Sequence, residues 1–197
     1  DGTLLDSYGV IVSSLHQTLE EFGVPLESGE IRRRATRGSV SDVVRWAAGE
    51  TGRDASEIRA RYSEISGGRY LEITPMPHAA EALEECAALG AVHFVYTHRG
   101  TTTAPVLEHL GLDRCFREVV SSLNGFPRKP APDALLYLME KYRLERDRTY
   151  YVGDRTLDVA CAQNAGVRSV LYAPSGEGRA DYVIRDLLDV RTLAGAP

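Results

Sequence analysis

Between Tyr8 and Phe22, apolar residues recur at the three- and four-residue intervals that place them on one face of a helix. These positions are Val10, Ile11, Leu15, Leu19 and Phe22. Gly23 and Pro25 follow and end the predicted helix. Two further helices are predicted over Ser41–Ala48 and Asp54–Ile73. Because no strand pattern interrupts these segments, residues 8–73 are predicted to be entirely helical.

The pattern changes at Met76, after which short apolar runs alternate with amphipathic segments. Helices are predicted over Pro77–Leu89, Thr101–Leu110, Ala131–Tyr142 and Thr156–Ala165. Strands are predicted over Val92–Thr97, Glu118–Ser122, Thr149–Asp154, Arg168–Ala173 and Ala180–Ile184. Strands that alternate with helices are typical of βαβ units, in which helices cover both faces of a parallel sheet. The predicted fold is therefore α/β, with a Rossmann-like parallel-sheet core and a helical insert.

The composition of the chain argues against several classes of function. Of the 197 residues, 26% are charged, and the net charge is -5, which does not favour a nucleic-acid partner. The three cysteines, Cys86, Cys115 and Cys161, lack the spacing of a disulfide framework or a zinc site. A reducing, cytoplasmic location is expected. No apolar run is long enough to cross a bilayer, so no membrane partner is expected.

Four polar residues lie at or just beyond the ends of predicted strands: Thr97, Lys129, Asp154 and Asp158. Ligands of open α/β sheets bind at the carboxyl ends of the strands, so these side chains are expected to meet. Two neighbouring carboxylates need a cation or hydrogen-bond donors to offset their repulsion, and oxygen ligands near a phosphate suit magnesium. The plainer interpretation is that Asp154 caps the next helix and Asp158 complements its dipole.

The other candidates also have two interpretations. Lys129 precedes a proline and is of the type that binds phosphate, although a surface lysine is the plainer interpretation. The Thr97 hydroxyl, with the backbone N–H groups of His98 and Arg99 entering a helix, would form an anion site, or else a helix cap. Asp1-Gly2-Thr3 is a tight-turn signal.

These signals follow one another in a fixed order: an Asp-Gly-Thr loop, a strand that ends in Thr, a Lys-Pro pair and a Gly-Asp-x-x-x-Asp segment. In this order the sequence resembles the haloacid dehalogenase (HAD) superfamily of phosphohydrolases, from DGTLLDS to GDRTLDVACAQNAG. It is most similar to the phosphoglycolate phosphatase and β-phosphoglucomutase-like branch, in which a small helical cap follows the first loop. The resemblance implies a HAD α/β core of residues 1–7 and 74–197 and a helical cap of residues 8–73.

The resemblance also implies catalytic roles. Asp1 matches the second aspartate of Asp-x-Asp-Gly-Thr, which is the general acid and base of the family. Thr97 corresponds to the hydroxyl that binds phosphoryl oxygens, with His98 beside it as a further phosphate contact. Lys129 corresponds to the lysine that stabilises charge on the phosphate and on the nucleophile.

A magnesium ion is the cofactor that the resemblance implies. Its ligands would be the Asp154 carboxylate and the backbone carbonyl of Asp1, with Asp158 supporting the site through water or Lys129. The nucleophilic aspartate, which forms an aspartyl-phosphate, would lie two positions before Asp1 on a central strand. Folded proteins are stable by only about 5–15 kcal/mol, and the free energy lost with a buried central strand would be larger than that. A strand is therefore expected to precede Asp1.

The expected function is magnesium-dependent hydrolysis of a small phosphomonoester, such as phosphoglycolate, a sugar phosphate or a nucleotide monophosphate. Two alternatives stay open: a β-phosphoglucomutase-like phosphotransferase and a non-catalytic homologue that binds a phosphorylated ligand. The partner expected is a small phosphorylated metabolite, and the chain is expected to be a monomer or a homodimer.

The expected substrate contact of the cap is Arg37, in the Thr36–Ser39 segment between two helices. An exposed arginine beside Arg32, Arg33 and Arg34 is the plainer interpretation. Ser41 stands where the sugar-phosphate mutases carry an arginine, and His98-Arg99 stands where phosphoglycolate phosphatases usually carry Asn-Lys. These departures leave the substrate open.

Overall fold

The computed structural model describes residues 1–194. It contains two compact units, which are described one at a time. One unit comprises Asp6–Thr74, and the other comprises Asp1–Leu5 with Pro75–Pro197. The chain passes between them at two short paired strands, β1 (Leu5–Asp6) and β2 (Thr74–Pro75).

The Asp6–Thr74 unit is a bundle of four helices. They are α1 (Tyr8–Glu21), α2 (Ser28–Arg37), α3 (Val40–Thr51) and α4 (Ala55–Gly68). Helix α1 packs against α2 and α4, and its Leu15 and Leu19 are fully buried in the bundle core. Ser39 and Asp54 begin α3 and α4 by accepting backbone N–H groups of the first turn. The prediction of an all-helical segment agrees with these elements.

Helix α2 departs most from the sequence prediction. Its interior residues are Ile31 and Ala35 alone, so its apolar face is too sparse to produce a clear helical period. The helix continues through Arg37, and only Gly38 and Ser39 separate it from α3. The prediction that Thr36 and Arg37 lie in a loop between helices is therefore wrong. Helix α4 is also shorter than predicted, because it ends at Gly68.

The second unit alternates strands with helices. Its strands are β3 (His93–Tyr96), β4 (Phe116–Val120), β5 (Tyr150–Gly153), β6 (Arg168–Tyr172) and β7 (Tyr182–Ile184). Its helices are α5 (Ala79–Ala88), α6 (Thr103–His109), α7 (Asp133–Tyr142), α8 (Thr156–Ala165) and α9 (Arg191–Ala194). Each predicted strand and helix of this region is present, with ends that differ by a few residues.

The strands form two parallel ladders, β3–β4 and β5–β6–β7. Among the described residues, no strand pairs with both β3 and β5, so the predicted single sheet is divided here. Helix α8 packs on β5 and β6 and against α7. Leu4 packs against the core of each ladder, touching clusters that contain Val170 and Leu107 respectively. The opening loop is thereby held between the two halves of the unit.

None of the helices in residues 1–194 combines the length and the apolar composition that a bilayer-spanning helix needs. The carboxyl ends of β3 and β5 lead directly into Thr97 and Asp154. Lys129 lies in the connection between β4 and α7. The predicted polar residues therefore lie in the connections that follow the carboxyl ends of the parallel strands.

Substitution of Leu15 tests the core of the Asp6–Thr74 unit. Leu15→Ala should lower the free energy of unfolding by about 2–5 kcal/mol, because the side chain is fully buried and leaves a cavity. Leu71→Ala is the matched control: Leu71 is 57% exposed, so its loss should change stability by about 0.5 kcal/mol or less. Urea unfolding followed by the fluorescence of Trp46, the only tryptophan, measures both. Equal losses would contradict the packing described.

Candidate active site

The loop that opens the chain is tied to the ends of β3 and β5. Gly2, at a φ of 75°, makes the turn possible, and its N–H donates to the Leu5 carbonyl at 2.8 Å. The Thr3 hydroxyl donates to Asp154 Oδ1 at 2.9 Å. The Arg99 guanidinium pairs with the Asp1 carboxylate, with Nε 3.2 Å from Oδ1. Asp1 therefore lies beside the segments that follow both strands.

The segment after β3 is shaped by Thr97. Its N–H continues the ladder to the Val120 carbonyl at 2.9 Å, and its Oγ1 accepts the Arg99 N–H at 3.1 Å. Because the oxygen accepts this bond, the hydroxyl keeps its own proton as a donor. Helix α6 begins only at Thr103, so the prediction that the N–H groups of His98 and Arg99 enter a helix is wrong. Gly100, whose carbonyl accepts Thr103 N–H, keeps the chain in a turn before that helix.

Lys129 and Asp158 form a buried ion pair. The Lys129 ammonium nitrogen lies 2.8 Å from Asp158 Oδ1, and the two side chains are only 11% and 8% exposed. Asp158 Oδ2 also accepts the Arg155 N–H at 3.2 Å, so the carboxylate closes the first turn of α8. Buried charges are stable only where partners of this kind offset the lost hydration. Of the two ways in which Asp158 was expected to support the site, the contact with Lys129 is present.

Two tyrosine rings flank the same ammonium group. Lys129 Nζ lies 4.8 Å from the ring centroid of Tyr96 and 5.3 Å from that of Tyr151. The Tyr151 hydroxyl lies 3.4 Å from Asp158 Oδ1. Burial, with the Asp158 charge as a further cause, raises the pKa of Tyr151 well above its usual value, so the phenol stays protonated. The sequence gives no signal for this contact, because an aromatic residue in an apolar strand predicts only packing in a core.

His98 fixes the backbone of Lys129. The Lys129 N–H donates to His98 Nε2 at 3.0 Å, which requires an unprotonated Nε2 and places the ring proton on Nδ1. Burial, together with the positive charges of Arg128 and Lys129, lowers the pKa of His98 to about 4. The His98 side chain, predicted as a phosphate contact, is therefore a neutral acceptor for the loop that carries Lys129.

Gly153 explains why Asp158 points back to the end of β5. A β-carbon at Gly153 would lie 2.2 Å from the β-carbon of Asp158, which no real structure tolerates. The side chain of Asp158 thus occupies the space that glycine leaves open. In the spacing Gly-Asp-x-x-x-Asp, the first carboxylate, that of Asp154, follows the strand directly. The second, that of Asp158, comes from the next helix and packs against the strand end at Gly153.

Six of the seven predicted site residues belong to one unit: Asp1, Thr97, His98, Lys129, Asp154 and Asp158. Lys129 is hydrogen-bonded to His98 and Asp158, Arg99 is hydrogen-bonded to both Asp1 and Thr97, and Asp154 accepts the Thr3 hydroxyl. Arg37 belongs to the other unit, where it is exposed in the last turn of α2. There it lines a surface cleft of about 380 Å³ together with Arg33 and Arg34, which pair with Glu30.

The carboxylates of this region do not form a ready-made metal cage. Within residues 1–194, no group of three His, Cys, Asp or Glu side chains is arranged to hold an ion. Asp158 is engaged by Lys129, and Asp154 accepts the Thr3 hydroxyl. Magnesium commonly takes one or two protein carboxylates and fills its other positions with water and substrate phosphate. The oxygen donors present are compatible with that ion and not with a dedicated all-protein site.

Substitution of Gly153 tests the close approach of Asp158. Gly153→Ala should lower the free energy of unfolding by about 1–3 kcal/mol, because the methyl group must push the Asp158 side chain away from Lys129. Gly49→Ala, in the interior of α3 with nothing within 4 Å of the new methyl, should instead raise stability by about 0.5–1 kcal/mol. Thermal unfolding of both variants measures the difference, and a neutral Gly153→Ala would refute the contact.

The neutral state of His98 predicts a pH dependence of stability. Between pH 6.5 and about 4 the unfolded chain binds a proton at His98 that the folded chain does not bind, so stability should fall as the pH falls through this range. His98→Gln keeps an acceptor for Lys129 N–H without a titrating ring, and should remove this part of the pH dependence. His109→Gln, at an exposed position, should not. Urea unfolding at several pH values gives the three curves, and identical curves would contradict a buried neutral His98.

Comparison with known proteins is consistent with this geometry. The sequence model of haloacid dehalogenase-like hydrolases matches residues 1–172. A phosphoglycolate phosphatase of Haemophilus influenzae (strain 86-028NP) is 27% identical over 211 residues, covering 98% of this chain and 94% of the relative. A phosphoglycolate phosphatase of Vibrio parahaemolyticus is 30% identical over 180 residues, covering 86% of this chain and 78% of the relative.

The fold also matches solved structures. A predicted phosphoglycolate phosphatase from Haemophilus somnus 129PT superposes with a TM-score of 0.85 at 23% identity, covering 98% of this chain and 94% of that chain. At this identity the likeness concerns the fold, and it confirms the predicted Rossmann-like α/β architecture. Since the family model spans most of the sequence and the motif residues are gathered in one unit, the chain belongs to the haloacid dehalogenase-like hydrolase family.

Proposed function

We propose that this protein is a magnesium-dependent phosphatase that hydrolyses a small phosphomonoester: phosphoglycolate, a sugar phosphate or a nucleotide monophosphate. The observation that carries the proposal is the occurrence of Asp1, Thr97, Lys129, Asp154 and Asp158 in one unit, with Thr97 and Asp154 directly after β3 and β5 and with Lys129 paired to Asp158. The relatives named phosphoglycolate phosphatase support the reaction class. Their identity of 27–30% leaves all three substrate classes in the proposal.

In the proposed site, Lys129 and Thr97 bind the phosphoryl group. Asp158 holds the ammonium of Lys129 beside the position where the phosphate oxygens would gather. The Thr97 hydroxyl, which accepts the Arg99 N–H, donates its proton to one of those oxygens. Phosphoryl transfer depends mainly on positioning and on neutralising charge, and a preorganised ammonium group and hydroxyl supply both.

Asp1 acts as the general acid and then as the general base. The nucleophilic carboxylate, proposed two positions before Asp1, attacks phosphorus while the bond to the leaving oxygen breaks and Asp1 gives that oxygen a proton. Asp1 then takes a proton from the water that attacks phosphorus, which releases inorganic phosphate and restores the nucleophile. The Arg99 guanidinium orients the Asp1 carboxylate for these transfers.

The position proposed for the nucleophile is compatible with the divided sheet. Strands β3 and β5 are each paired on one side only among the described residues. A strand between them would complete one parallel sheet and would end beside Thr97 and Asp154. Leu4, which follows Asp1 by three residues, already packs against the cores of both ladders.

Asp154, together with the backbone carbonyl of Asp1, would hold the magnesium ion. The Thr3 hydroxyl orients the Asp154 carboxylate by donating to Oδ1 at 2.9 Å, while Asp158 supports the site from its pair with Lys129. When bound, a divalent cation neutralises phosphate charge and polarises the phosphoryl oxygen. We propose the Asp6–Thr74 unit as the cap, with Arg37 as its contact to an anionic part of the substrate.

Activity assays on the full-length protein, including the residues before Asp1, test the proposal. Phosphate release from a panel of esters should require magnesium, stop with a chelator and resume when magnesium is restored. Lys129→Met and Asp154→Asn should each reduce kcat by about 100-fold or more, because each removes a charge that the transition state needs. Lys141→Met, which removes the only other lysine, should stay within about twofold of the parent.

Two outcomes would contradict the proposal. Failure to release phosphate from every ester, by a folded protein that carries an aspartate two positions before Asp1, would refute a phosphatase. Conversion of a sugar phosphate into its isomer without net phosphate release would identify a phosphotransferase instead.

A further inference from the structure

We infer that Tyr96, Tyr151 and His98 are positioning residues that hold Lys129 in place for the phosphoryl group. This inference rests on the proposed function, in which Lys129 binds phosphate. The three residues are called the aromatic clamp below. None of them needs to touch the substrate, because each acts on the side chain or the backbone of Lys129.

The rings of the aromatic clamp take the place of water around the ammonium group. Tyr96 and Tyr151 project from β3 and β5, one strand of each ladder, with ring centroids 6.3 Å apart. The Lys129 nitrogen lies within 4.8 and 5.3 Å of the two centroids, the range in which an aromatic face attracts a cation. Asp158 provides the direct ion pair. The ammonium is thus restricted on several sides by groups from different elements.

The backbone of the same loop is held as firmly. The Tyr96 hydroxyl donates to the Pro127 carbonyl at 3.2 Å, two residues before Lys129. His98 Nε2 accepts the N–H of Lys129 itself at 3.0 Å. Tyr96 therefore acts twice, with its ring on the ammonium group and its hydroxyl on the loop.

Helix α8 holds the other side of the loop. Asn164 Nδ2 donates to the Pro130 carbonyl at 2.8 Å, and the Cys161 thiol lies 3.3 Å from the Ala131 carbonyl. Side chains of β3, of its following loop and of α8 thus engage backbone groups on both sides of Lys129. A lysine side chain has several rotatable bonds and would otherwise sample many positions, so this arrangement preorganises the ammonium group.

Tyr150 shows that the contact with Lys129 depends on the position of a tyrosine in the strand and not on the number of aromatic residues there. It precedes Tyr151 in β5, and successive side chains of a strand point to opposite faces. Its ring packs against Tyr182, at a centroid distance of 5.9 Å, on the side of the core formed by β6 and β7. Tyr150→Phe is therefore a matched control for substitutions at Tyr151.

Nuclear magnetic resonance of lysine-labelled protein tests the aromatic clamp directly. The sequence contains two lysines, Lys129 and Lys141, so Lys141→Arg leaves the Lys129 signal for assignment. Ring currents of two flanking tyrosines should move the side-chain protons of Lys129 upfield. Tyr96→Leu and Tyr151→Leu should each move this signal toward the position of an exposed lysine. The corresponding Phe variants keep the ring and lose only the hydroxyl, so they should move the signal less than the Leu variants do, and Tyr150→Phe should leave it in place.

The affinity of the same variants for inorganic phosphate tests whether the aromatic clamp matters for phosphate binding. Each Leu variant should bind phosphate about 2- to 30-fold more weakly than the parent, the range expected for loss of one cation–π contact. The Phe variants should bind phosphate more tightly than the Leu variants, because they keep the ring and lose only the hydroxyl contact. In Lys129→Met protein, a further Leu substitution should cause no additional loss. Thermal melts identify any variant that does not fold, and either Leu variant alone suffices for the test.

The outcomes separate the inference from the function on which it rests. A Lys129 signal that does not respond to loss of either ring overturns the aromatic clamp, even in an active phosphatase. Equal effects of Phe and Leu at the same position also overturn it. The Lys129 signal could also respond as expected although the parent protein neither binds phosphate nor hydrolyses esters. That result would support the aromatic clamp and refute the proposed function.

Discussion

A buried ammonium–carboxylate pair, Lys129 with Asp158, is the interaction on which the rest of the site depends. Removing two charges from water costs more than their attraction returns unless further polar groups complete their coordination. Asp158 meets this requirement with the Arg155 N–H and the nearby Tyr151 hydroxyl. Gly153 leaves the space in which the carboxylate lies. Each of these features would be unfavourable without the others, so the end of β5 and the start of α8 form one cooperative unit.

The fold was largely predictable because its main determinants are local. Apolar runs that alternate with amphipathic segments identified the five strands from β3 to β7, and α8 begins and ends at the predicted residues. Helix α2 was not identified, since two buried residues give little periodic signal and three consecutive arginines obscure it. The division into two ladders could not be predicted from local sequence pattern either, because strand pairing depends on contacts between distant segments.

The site was predictable where side chains differ from their surroundings. A polar residue at the end of an apolar strand, such as Thr97 or Asp154, is conspicuous in sequence. Tyr96 and Tyr151 are not, because an aromatic residue inside a strand has the same pattern whether it packs in a core or against a cation. His98 was singled out for its position, yet its partner is a backbone N–H 31 residues away, which no local spacing encodes.

The hydrogen bond from Thr3 to Asp154 joins residues 151 positions apart. A ribosome adds about 5–20 residues per second, so the two ends of this bond emerge roughly 8–30 s apart. The Asp6–Thr74 bundle can complete its core during that interval, since all its helices are made early. The opening loop, in contrast, must wait for the last strands of the sheet. Biosynthesis therefore supplies every residue of the helical bundle well before it supplies the last residues of the site.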